Sequence, residues 1–207
     1  MVPAVMVVGL LAEMVAWGTV ARRRRSVWPV MAATLAAMGV AAALVGSPPL
    51  STSVPAARAV AVGAGSGVVL YLATRVFVMV VHGWRRFQRH GSRMYARQAG
   101  LPLWAALVLS LAVMVVGEEL FWRGLFQLRL GRGLDSHLAG AVLSWLAFVA
   151  ANLPSANLAI VAGAVVGGAV WTGLAWWSHG FLASMTSHVM WTGLMLSAPV
   201  LAAQEGA

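Results

Sequence analysis

The chain has 207 residues, of which 61% are hydrophobic and only 9% charged, and its mean hydropathy is +0.85. So few charges cannot cover the surface of a water-soluble domain of this length, so lipid must be the solvent for most of it. All 14 basic residues are arginines, and they lie mostly in two short runs beside apolar segments rather than along a groove, which excludes a nucleic-acid partner.

In chain order, a first apolar run, Val2 to Ala21, ends at Arg22-Arg23-Arg24-Arg25. Because the arginines follow the apolar core instead of preceding it, the segment reads as a retained span rather than a signal peptide. A second span covers Val27 to Gly46. Ser47 to Val54 and Pro55 form a loop rich in turn residues. A third span runs from Ala59 to His82. Gly83 to Gly100 then carries Arg85, Arg86, Arg89, Arg93 and Arg97 among Trp84, Phe87, Met94 and Tyr95. That spacing fits either a helix lying on an anionic membrane surface or a solvated basic loop.

A fourth span opens near Leu101-Pro102 and continues to about Leu130, with a turn at Gly131 to Ser136. A fifth covers His137 to Asn152 and stops at Leu153-Pro154-Ser155. The sixth runs from Asn157 to about Trp177, with Gly163, Gly167 and Gly168 for close packing, and the seventh from Phe181 to Leu201. The expected fold is all-α, a polytopic bundle of about seven spans, with residues 1–100 as N-terminal helices and basic loop and 101–207 as the core that carries the chemistry. Both arginine runs are expected on the cytoplasmic side, which puts the N-terminus outside, although Arg129 and Arg132 then lie outside against the rule.

Charges inside a span cost roughly 2.5–3.5 kcal/mol each on insertion scales, so each one needs a reason. Glu13 and Arg75 stand alone in the first and third spans, free to snorkel or find partners. Glu118-Glu119-Leu120-Phe121-Trp122-Arg123 puts three formal charges within six residues. On an α-helix Glu119 and Arg123 face one another and form an ion pair, whereas Glu118 lies about 100° round the helix and points elsewhere. Two adjacent carboxylates in low dielectric resist ionising together. Arg123 therefore holds Glu119 charged and leaves Glu118 as the candidate general base. His188 and Thr192 share a face of the seventh span, and Phe148 and Asn152 end the fifth.

These residues resemble the CPBP family, the prenyl-CAAX proteases and bacteriocin-processing or Abi proteins regarded as intramembrane glutamic endopeptidases. The family's Glu-Glu-x-x-x-Arg is matched by Glu118, Glu119 and Arg123. Its Phe-x-x-x-His is matched at Phe148 but has Asn152 for the histidine. Its His-x-x-x-Asn is matched at His188 but has Thr192 for the asparagine. The resemblance spans about Leu101 to Leu201. It implies hydrolysis of a peptide or lipid-anchored protein in a bacterial plasma membrane, with no cofactor or obligatory metal. Glu118 would activate water, Arg123 would hold Glu119, and His188 would bind the developing oxyanion. Asn152 and Thr192 would serve where the family has histidine and asparagine. No His-Glu-x-x-His stretch is present. The two departures admit a second reading, a non-catalytic binding or immunity-type membrane protein. A proton-coupled transporter using Glu13, Arg75 and Glu118 is a third, but no inverted repeat supports it.

Overall fold

A computed structural model describes residues 1–23, 26–46, 48–51, 53–98 and 100–200, with the side chains of 95–98 undescribed. Arg24, Arg25, Ser47, Thr52 and Leu201, each part of an expectation above, lie outside the described residues, as do the side chains of Tyr95 and Arg97.

Among the described residues the secondary structure is entirely helical. The helices are α1 (Val2–Arg22), α2 (Val27–Gly46), α3 (Ala56–Val80), α4 (Arg85–Gln98), α5 (Leu103–Gly133), α6 (His137–Asn152), α7 (Leu158–Ser178) and α8 (Leu182–Ser197). Six of them, α1, α2, α3, α5, α7 and α6 with its following turn, are long and apolar enough to cross a membrane. In lipid only a helix satisfies every backbone N–H and C=O within its own segment, which is why apolar runs of this length have no other stable form. The seventh expected span, α8, has 16 helical residues and is shorter than the length that a full crossing needs. Large apolar side chains stay exposed along the outer faces, among them Val8, Val15, Leu44, Val69, Trp104 and Leu138, an arrangement that only lipid would tolerate.

Several boundaries moved: the third span is Ala56–Val80 rather than Ala59 to His82, and the last helix is Leu182–Ser197 rather than Phe181 to Leu201. Helix α5 continues through Gly131 to Gly133, so the turn is confined to Leu134–Ser136, where Asp135 takes a positive φ of 52°. Pro102 caps α5 from the position before it rather than occupying its first turn. Asn157 caps α7, its side-chain oxygen accepting from the N–H of Ala159 at 2.9 Å.

The segment Arg85 to Gln98 is a helix, strongly amphipathic, with Phe87 buried against Phe77 at 5.2 Å between ring centroids. His90 fastens it to the start of α7. Its Nδ1 accepts the Leu158 N–H at 2.8 Å, and its backbone oxygen accepts from Asn157 Nδ2, also at 2.8 Å. The end of α1 reaches the turn after α6, where Gly18 approaches Pro154. The described parts of both arginine runs therefore lie at one end of the bundle, as the orientation expected above requires. At the other end, Pro49 and Leu50 accept backbone hydrogen bonds from Phe181 and Leu182, and His137 stacks on His179 with centroids 4.9 Å apart.

Close crossings bring the core together. Gly63 and Gly67 let α3 lie against the backbone carbonyls of Ala183 and Ser187 on α8. Gly39 of α2 meets Gly117 of α5 backbone to backbone. A β-carbon on either glycine would push the helices apart, immediately beside Glu118.

Candidate active site

Glu118 is at the midpoint of α5, between two stretches of π-helix at Leu109–Met114 and Leu120–Gln127. In a π-turn the backbone bonds run from i to i+5, so a residue comes to lie over its fifth neighbour instead of its fourth. The ideal-helix expectation separated Glu118 from Arg123, and here it needs correcting. Arg123 Nη1 lies 3.2 Å from Glu119 Oε1 and 3.9 Å from Glu118 Oε1. The guanidinium thus faces both carboxylates, with the tighter pairing to Glu119.

The rest of the Arg123 environment is aromatic. Its guanidinium lies over Phe148 at 4.5 Å and Trp171 at 5.5 Å from the ring centroids. Glu119 is fully buried and Arg123 nearly so. Charges taken that far from water stay only where partners surround them. The aromatic faces supply part of that compensation through their electron-rich surfaces.

His188 enters from α8. Its Nδ1 lies 3.0 Å from Glu119 Oε1, and its ring stacks on Trp171 at 3.6 Å between centroids, inclined by 15°. Glu119 is therefore bracketed by Arg123 and His188. Pinning Nδ1 and one ring face orients the imidazole, and Nε2 makes no hydrogen bond among the described residues. Trp171 belongs to none of the sequence motifs. It comes from α7, whose only marked residues were the packing glycines Gly163, Gly167 and Gly168, and no spacing signal marked it.

Asn152, at the end of α6, donates through Nδ2 to its own Phe148 oxygen at 2.9 Å and to Glu13 Oε1 at 3.2 Å. Glu13, the lone glutamate of the first span, is 1% exposed and also accepts from Trp122 Nε1 at 2.8 Å. It neither snorkels nor stands alone. Arg75 is elsewhere, exposed on α3 and donating to Tyr71 Oη at 3.2 Å, so the three residues of the transporter reading do not form one path.

Glu118, Asn152, His188 and Thr192 all line one cavity of about 460 Å³, together with Phe148 and Trp171. It continues along Thr74 and Phe77 of α3 to Phe87 and Met94 of the basic helix α4. Its walls are mostly apolar with a few polar side chains among them, the usual make-up of a ligand site of this volume. Chemically, the cavity wall offers a carboxylate, a pinned imidazole, an amide and a hydroxyl.

Residues 100–194 match the family model of the type II CAAX prenyl endopeptidase Rce1-like proteins. The match covers all three motifs and agrees with the resemblance read from them. No curated protein and no solved structure matches the chain.

Proposed function

We propose that this integral membrane protein, whose residues 100–194 belong to the Rce1-like CAAX protease family, is an endopeptidase in which Glu118 activates water against a peptide bond. The observation that carries the reading is the shared cavity: Glu118 and His188, from different helices, line the same space. Glu118 removes a proton from water as its oxygen bonds to the carbonyl carbon. The carbonyl electron pair moves to oxygen, and the resulting oxyanion is stabilised by His188 and by the Thr192 hydroxyl. The proton held by Glu118 passes to the amide nitrogen as the C–N bond breaks, giving an acid and an amine. Glu119 and Arg123 have a supporting part, since both are buried and Glu119 fixes the His188 ring.

The apolar length of the cavity suits a substrate with a lipid-anchored or membrane-embedded end. Its course toward α4 suits entry from the arginine-rich end of the bundle. The test is cleavage of an internally quenched prenylated CAAX peptide by the full chain in proteoliposomes. Glu118→Gln should lower the rate on the order of 10³-fold while the melting temperature is held. Unchanged cleavage would defeat the proposal.

A second reading, a non-catalytic binding protein, draws on Asn152, both of whose N–H groups are engaged within the protein. It expects the parent to be inert and the Asn152→His, Thr192→Asn double variant to gain activity.

A further inference from the structure

We propose that Glu13 is a positioning residue of the site, contributed by a helix outside the family-matched segment, and that it acts by fixing the amide of Asn152. Residues 100–194 supply the three motifs, yet the nearest side-chain partner of Asn152 comes from α1. The primary amide of Asn152 has two N–H donors and one carbonyl oxygen. One donor goes to the Phe148 oxygen at 2.9 Å and the other to Glu13 Oε1 at 3.2 Å. The Phe148 carbonyl can only accept, as does Glu13 as a carboxylate, so the reverse orientation of the amide would set oxygen against oxygen twice. The orientation is thereby decided, and Oδ1 is the polar atom that Asn152 has left for the cavity it lines. At that position Oδ1 accepts a hydrogen bond from the water that Glu118 deprotonates, and so aims that water's lone pair at the carbonyl carbon. An unanchored amide would present either end.

Glu13 is itself held in place. Its second oxygen is taken by the Trp122 indole at 2.8 Å, and Trp122 is itself fully buried within Glu118-Glu119-Leu120-Phe121-Trp122-Arg123. Glu13 is absent from the cavity wall, so it does not touch substrate. It links the first motif to the second through its two carboxylate oxygens. Glutamine at this position has a single oxygen for two donors and must abandon either Trp122 or Asn152.

The kinetic part of this inference rests on the endopeptidase reading; the amide orientation does not. The chain contains two asparagines, Asn152 and Asn157, so ¹⁵N-asparagine labelling gives two side-chain amide groups in the NMR spectrum of the full chain in nanodiscs. In the unaltered protein both Asn152 amide protons should exchange slowly with solvent. Rapid exchange of both would overturn the assignment without any variant. In Glu13→Gln, or in Glu13→Asp if glutamine impairs folding, the Asn152 signals should move and exchange faster while those of Asn157 hold. With the prenylated CAAX peptide as probe, Glu13→Gln should lower kcat about tenfold at constant KM, with partial rescue by Glu13→Asp. In an Asn152→Ala background Glu13→Gln should cost nothing further. Unmoved Asn152 signals, or a kcat loss that multiplies in full with that of Asn152→Ala, would refute the role. A parent chain that does not cleave the probe would count against the endopeptidase reading, and the amide signals would still decide the place of Glu13.

Discussion

Nδ1 of His188 lies 3.0 Å from Oε1 of Glu119, so the second glutamate of the pair, not the first, holds the histidine. The same oxygen faces Arg123 at 3.2 Å. One buried carboxylate thus ties α5 to α8 and leaves Glu118 to the cavity.

Arg123→Met should be strongly destabilising. It strands Glu119, fully buried, without its cation, a loss of about 3–5 kcal/mol for a broken buried pair. Adding Glu119→Gln should recover part of that loss, because the charge left unpaired is then gone. Thermal melts of the purified single and double variants measure the difference. A double variant less stable than Arg123→Met would contradict the pairing.

Trp171→Ala should remove the surface on which His188 stacks at 3.6 Å. Truncating a buried aromatic costs about 3–5 kcal/mol. Trp171→Phe keeps a ring and should retain the fold, while probe cleavage falls less than tenfold as the histidine loses part of its support, worth about 0.5–1.5 kcal/mol. Equal activities in the two variants would show that the stack does not orient His188.

Thr192→Val changes the hydroxyl to a methyl of nearly the same shape. If the hydroxyl donates to the oxyanion, kcat should drop by roughly 10²-fold with KM nearly constant, and Thr192→Ser should restore most of it. Steady-state kinetics on the quenched peptide decide this. A pure KM effect would assign Thr192 to ground-state binding.

Gly39→Val should separate α2 from α5 at their backbone crossing with Gly117. Overpacking of this kind costs about 1–3 kcal/mol, and here the displaced backbone adjoins Glu118. Stability and cleavage should fall together. Gly65→Val, at a position with open space around it, serves as the control and should leave both intact.

The chain has no cysteine, so single cysteines report cleanly on topology. Gly83→Cys and Gly133→Cys, both at exposed positions, should react with a membrane-impermeant maleimide from opposite sides, with Gly83 on the cytoplasmic side. Labelling of both from one side would overturn the alternation of the helices.

The membrane class, the helix count to within the short α8 and the residues of the three motifs were legible in the sequence. Apolar length and helical spacing are local properties, and a hydrocarbon solvent leaves a chain little choice but helix. Even the pairing of Glu119 with Arg123 followed from a four-residue step. What spacing could not supply was anything that depends on two helices meeting. Glu13 read as an isolated charge because its partners, Trp122 and Asn152, are 109 and 139 residues away. Trp171 went unmarked because the histidine it supports belongs to the next helix. The approach of Arg123 to Glu118 depended on a π-turn, a departure from α-helical phase that no apolar periodicity records. The sequence by itself determined that three acidic groups would be carried into lipid. Only the tertiary packing decided which of them faces the cavity and which are spent as partners, because burying a carboxylate is tolerable only where other helices bring donors and a cation within reach.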